Sequence, residues 1–137
     1  MLEKRNSQMA THRQIAKRTG DLSPSAVVGK SALRAAAYLQ IPNRGLAKII
    51  GLSDSTITRV AQGKFALEPG SKPFELALLF VRLFRSLDAI AGGDPVTARA
   101  WLRADNTALN GKPLDLMMHI PGLVDVIAYL DARRAVV

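Results

Sequence analysis

Arg44-Gly45-Leu46-Ala47-Lys48-Ile49-Ile50-Gly51-Leu52-Ser53-Asp54-Ser55-Thr56-Ile57-Thr58-Arg59-Val60-Ala61-Gln62-Gly63-Lys64 pairs two short apolar-periodic segments across a glycine. Leu46, Ile50, Leu52, Ile57 and Val60 fall where two crossed helices must bury apolar groups. Ala47 is small where the helices come closest, and Gly51 supplies the turn. This spacing predicts a helix-turn-helix. Ser53 is placed to cap the second helix, which leaves Asp54, Ser55, Thr56, Thr58, Arg59 and Gln62 at its start or on its outward face. Hydroxyls, an amide and a guanidinium are the groups that read a DNA groove. With the neighbouring cations, the expected DNA contacts are Arg44, Lys48, Ser53, Asp54, Ser55, Thr56, Thr58, Arg59, Gln62 and Lys64.

Any small helical hairpin shares that pattern, so charge is a second test. Residues 1 to 70 carry eleven Lys and Arg against four Asp and Glu, whereas residues 71 to 137 carry eight against seven. Almost all of the +8 net charge therefore lies in the half that holds the candidate reading head. That is the electrostatic footprint expected for phosphate. A solvated basic face is the competing reading.

Composition narrows the function classes. The 137 residues are 48% apolar, enough for a sizeable core as one domain or two small ones. No run approaches the roughly 20 apolar residues that span a bilayer, and the start of the chain lacks a secretory signal, so a cytoplasmic protein is expected. The absence of cysteine excludes disulfides and thiolate chemistry. His12 and His119 are isolated, without metal-ligand spacing. There is no Gly-rich phosphate loop after a strand and no nucleophile elbow. The expectation is a binding protein without cofactor or metal, not an enzyme.

The remaining chain reads as helix punctuated by Gly and Pro, an all-α fold. A helix over about residues 10 to 19 is expected to stop at Gly20, and a second to run from Ser23-Pro24 to Ile41-Pro42. Pro73 opens a long helix ending at Gly92-Gly93. Its Phe74, Leu76, Leu78, Leu79, Phe80, Val81, Leu83, Phe84, Leu87 and Ile90 occupy more than one face, so it is the expected spine. Part of that surface is expected to meet a second copy, which also suits a reader of two-fold operators; a fully intramolecular core is the alternative. Short helices then follow from Pro95 to Leu102, from Pro113 to Met118, and from about Pro121 to Arg134, the last with Leu123, Val124, Ile127 and Leu130 inward. Trp101 is expected to anchor on the spine, Asn106 and Asn110 to hold a loop by hydrogen bonds, and Gly111 to permit a sharp turn. The expected organisation is a basic arm (1–22), the helix-turn-helix domain (23–70), a connecting and dimerisation helix (71–93) and a C-terminal domain (94–137).

In the C-terminal part, Ala100-Trp101-Leu102, Asn106, Leu109, Gly111-Lys112-Pro113-Leu114-Asp115-Leu116, Gly122, Val126 and Leu130 occur in an order that resembles the toxin-binding domain of the Xre/MbcA/ParS antitoxins. Those proteins also carry a preceding Xre-type helix-turn-helix, so the resemblance covers about residues 30 to 134. It implies an antitoxin that neutralises an adjacent-gene RES-domain toxin, an enzyme that consumes or uses NAD, by covering its active site, and that represses its own operon. Asn110, Lys112, Asp115, Met117 and Met118 are the residues expected to be accessible to the toxin, with Gly111 between them. The chain closes Asp131-Ala132-Arg133-Arg134-Ala135-Val136-Val137, where relatives often have a glycine-containing tail. Arg133 and Arg134 either interact with the last helix's carbonyl end or pair with acidic groups in the toxin cleft. Two other functions compete with this one. They are a stand-alone helix-turn-helix regulator and an interaction module that no longer reads DNA.

Overall fold

A computed structural model describes residues 23–136, with side chains through residue 135. The expected helix at 10 to 19, the basic arm and His12 lie outside the described residues. Seven helices follow: α1 Pro24–Tyr38, α2 Asn43–Ile50, α3 Asp54–Ala61, α4 Lys72–Ile90, α5 Pro95–Arg103, α6 Pro113–Leu116 and α7 Ile120–Val136. The described residues contain no strand, only an isolated antiparallel bridge between Asn106 and Gly111. The all-α expectation is met.

Local chemistry sets these boundaries. Prolines sit in the first turn of α1, α4, α5 and α6, where the missing N–H costs nothing. Ser23 Oγ accepts from the Ala26 N–H at 3.3 Å, Ser53 Oγ from Thr56 at 3.1 Å and Ser71 Oγ from Phe74 at 3.3 Å. Four helices close in one way, with a left-handed residue after the last turn: Gln40 (φ 57°), Gly51 (φ 76°), Gly63 (φ 73°) and Gly92 (φ 64°). One residue on, an N–H reaches back into the helix, as Ile41 does to the Ala36 carbonyl at 2.8 Å and Leu52 to Ala47 at 2.8 Å. Gln40 therefore ends α1 at Tyr38, short of the Ile41-Pro42 boundary expected from sequence.

The spine expectation holds for α4, which packs against α7, α1 and α2. It buries Leu76, Ala77, Phe80, Leu83 and Leu87, and one core cluster runs from Val28 through these to Leu130. Leu78 and Ile90 stay on its outer side, 46% and 37% exposed. Three details add to the expectation or differ from it. In α7, Val126 is buried and Val124 is 49% exposed, because the arc that meets α4 is Leu123, Val126, Ile127 and Leu130. Trp101 is half-buried against the core cluster and also stacks on Tyr129 of α7, with ring centroids 6.0 Å apart. Gly111 has no left-handed backbone; the turn is made by Asn110 at φ 61°.

Candidate nucleic-acid and partner interfaces

The helix-turn-helix forms as the sequence requires. Leu46 and Ala47 are fully buried, and Ile50 and Ile57 are each 1% exposed, so the pairing of α2 with α3 rests on apolar contact. At the start of α3, Ser53 Oγ accepts the Thr56 N–H and donates to Thr56 Oγ1 at 2.8 Å, while Thr58 Oγ1 donates to the Asp54 carbonyl at 2.9 Å. Thr56 is half-buried, whereas Ser53, Asp54, Ser55, Thr58, Arg59 and Gln62 are exposed. Ser55, Thr58, Arg59 and Gln62 follow the i, i+3, i+4, i+7 spacing of one helical face. That face is open and polar, as insertion into a major groove requires.

The same motif carries exposed cations. Arg44 in the first turn of α2 pairs with Asp54 at 3.5 Å, and Lys48 and Lys64 are exposed. The Arg44–Asp54 pair is solvent-exposed, so it contributes little stability; its effect is to hold a guanidinium beside the N-terminus of α3. Arg59 lies over the Phe65 ring at 5.8 Å. Phe65, 41% exposed, is a neighbour of the reading helix that is not among the DNA contacts expected from sequence. An aromatic directly after Lys64 was the available signal.

The C-terminal part is built around a pinned loop. Asn106 and Gly111 exchange backbone hydrogen bonds at 3.0 and 3.2 Å, and Asn106 Oδ1 accepts the Leu109 N–H at 3.0 Å. Asn106 thus does what was expected of it, while Asn110 acts through its backbone. Asn110, Lys112 and Asp115 are exposed, and Gly111 is half-buried with the Leu116 side chain over it. The methionine pair does not form the accessible surface expected. Met117 is fully buried, and the half-buried Met118 reaches back so that its Cε would stand 3.8 Å from a Cβ on Gly45 of α2. An unbranched thioether fills such irregular gaps, which is why Met serves core and surface equally.

Arg133 and Arg134 are exposed, and each has a contact within the chain. Arg133 sits 4.5 Å over the Tyr129 ring, and Arg134 Nη1 donates to Ser86 Oγ at 3.5 Å. Ser86 in turn donates to Asp131 at 2.8 Å, and Asp131 pairs with Arg82 at 2.6 Å, which ties α7 to α4.

Contacts across 50 to 64 residues of sequence join the two parts of the chain, and none was expected from sequence. The Tyr38 hydroxyl shares its one proton between two acceptors, Asp88 at 3.1 Å and the Gly93 carbonyl at 3.0 Å. Desolvation and that carboxylate push the Tyr38 phenol above its ordinary value. Arg99 Nε donates to the Tyr38 carbonyl at 2.8 Å, and Arg103 Nη2 to the carbonyls of Leu39 at 3.1 Å and Gln40 at 2.9 Å. Two arginines of α5 thus close the carbonyl end of α1. At the head of α5, the Thr97 hydroxyl and the Val96 N–H hold the Asp94 carboxyl below its ordinary value, against an opposing desolvation.

Among the described residues no group of His, Asp and Glu is arranged to hold a metal, and no helix is long and apolar enough to cross a membrane.

An exposed polar recognition helix, capped and packed on a partner helix within an all-α scaffold, defines a helix-turn-helix protein with an attached helical domain. Family comparison finds both parts: an antitoxin Xre-like helix-turn-helix domain matches residues 20–82, and an antitoxin Xre/MbcA/ParS C-terminal toxin-binding domain matches residues 86–135. The chain belongs to the Xre/MbcA/ParS antitoxin family. No curated protein sequence matches it significantly.

Proposed function

We propose that the chain neutralises a RES-domain toxin encoded by the adjacent gene, an enzyme that consumes or uses NAD, by covering its active site. It also represses its own operon, as a cytoplasmic homodimer that reads a two-fold operator through α3. Residues 23–70 form the DNA-binding unit, 71–93 the connecting helix and 94–137 the toxin-binding unit. No chemistry by the chain itself is involved; the mechanism is occlusion.

The observation that supports this most directly is the open polar face of α3, formed by Ser55, Thr58, Arg59 and Gln62. In the C-terminal part Asn110, Lys112, Asp115, Arg133 and Arg134 are exposed on the α5–α6 loop, α6 and α7. Ile120 and Val124, one turn apart on α7 and 57% and 49% exposed, add apolar area that a protein partner can bury.

The deciding experiment is growth and cellular NAD content while the adjacent gene is induced, with and without this chain. Collapse of both is expected, with rescue by the full chain and weaker rescue by Lys112→Glu/Arg133→Glu. A truncation at Gly93 is the poorer control, because removing α7 uncovers Phe80, Leu83 and Leu87. No toxicity from the neighbour and no complex between the two proteins would overturn the reading in favour of a stand-alone regulator.

A further inference from the structure

A groove runs between α1 and α4 on the side of α1 turned away from the recognition helix. Gly29 marks the side that meets α3, since a Cβ there would stand 3.4 Å from Val60 Cγ1. At about 100° per residue, Val27, Ser31 and Arg34 stand roughly 140–160° around the helix from Gly29. Toward α7 the groove has a volume of about 500 Å³. It continues past Ser31, Val81 and Arg85 into a second hollow of about 290 Å³ beside Tyr38 and Phe84.

The groove has an aliphatic floor and a cationic rim. Val27 and Leu78 are 44% and 46% exposed, and Val81 lies half-buried between them. Arg34, Arg82, Arg85 and Arg134 stand along it, and no carboxylate lines it. Arg82 is taken by Asp131, whereas Arg34 and Arg85 have no ion pair among the described residues.

We propose that this groove holds an acidic amphipathic segment of the toxin, with apolar side chains on Val27, Leu78 and Val81 and carboxylates on Arg34 and Arg85. This rests on the antitoxin reading above and extends the toxin contact beyond the C-terminal unit. Aliphatic floor plus unpaired guanidinium groups is the complement of a helix with one apolar stripe and acidic flanks. The occupant is assigned to the toxin because Arg134 of α7 stands at the groove, so a partner covering α7 runs over it into the hollow. Charge disfavours the other occupants. In a second copy, arginines would face arginines across the two-fold axis. Residues 1–22 carry five basic and two acidic side chains. A DNA backbone would leave the aliphatic floor unused. A toxin seated here touches α1 of the DNA-binding unit and α7 of the toxin-binding unit at once.

Titration calorimetry of the full chain against separately purified, catalytically inactivated toxin tests the assignment. Arg34→Glu/Arg85→Glu is expected to weaken binding at least tenfold and Leu78→Ser severalfold, with operator affinity and melting temperature unchanged. Toxin affinity unchanged in both variants overturns the proposal while the antitoxin reading stands. Equal weakening on operator and scrambled DNA with intact toxin binding would make the groove a phosphate contact. A shift from dimer to monomer with intact toxin binding would make it a self-interface. Failure of the unmodified chain to bind the toxin removes both the proposal and the reading beneath it.

Discussion

Arg103 donates to the carbonyl of Gln40 at 2.9 Å, across 63 residues of sequence. Gln40 holds the left-handed position that glycine takes at the ends of α2, α3 and α4. A side chain there carries a steric cost that Gly51, Gly63 and Gly92 avoid. Arg103 and Arg99 offset it by taking the carbonyls of Tyr38, Leu39 and Gln40, so the end of α1 is completed by α5.

Arg99→Ala/Arg103→Ala should therefore lower unfolding stability by about 2 kcal/mol, from the loss of charge-assisted hydrogen bonds. Gln40→Gly should raise it by up to about 1 kcal/mol by relieving the backbone. Urea titration followed by circular dichroism reads both. No loss in the arginine double variant would show that these contacts do not stabilise the joint.

Gly122 lies against the backbone of Leu116 so closely that a Cβ would overlap the Leu116 carbonyl oxygen and stand 2.7 Å from its carbon. Neither group is the end of a flexible side chain. Gly122→Ala should destabilise the chain by about 1–3 kcal/mol through displacement of α6 from α7. A melting temperature equal to that of the unmodified chain would contradict this close approach.

Arg59→Ala should weaken operator binding by about 1–3 kcal/mol if the guanidinium reads a guanine. The measurement is a fluorescence titration with operator and with a scrambled duplex at one salt concentration. An equal loss on both duplexes would reassign Arg59 to phosphate.

Asp94 caps α5 as a carboxylate, and its folded-state pKa lies below the ordinary 3.8 because the Thr97 hydroxyl and the Val96 N–H favour the charged form. The unfolded chain takes up the proton first as pH falls, so the contribution of Asp94 is complete above about pH 3.8 and is lost progressively below it. Asp94→Asn should keep most of the cap and remove this part of the acid sensitivity. Parallel acid titrations of the two proteins, read by circular dichroism, check the sign.

The paired helices, their caps and the long spine were legible in the chain because their signals are local. Gly51 and Ser53 mark a turn and a cap within a few residues, and Pro24, Pro73, Pro95 and Pro113 fix helix starts by geometry that no distant contact alters. The polar face of α3 followed from the same 3.6-residue period.

Tertiary structure decided whatever was locally degenerate. Val124 and Val126 are the same residue two positions apart, and only docking on α4 makes one core and the other surface. Met117 and Met118 are adjacent and identical, yet one enters the core while the other reaches Gly45. The arginine closure of α1, the Arg82–Asp131 pair and the groove between α1 and α4 join residues far apart in sequence. Periodicity sets which residues share a face, but not which face another helix will cover, because that depends on side chains brought together only by the folded chain.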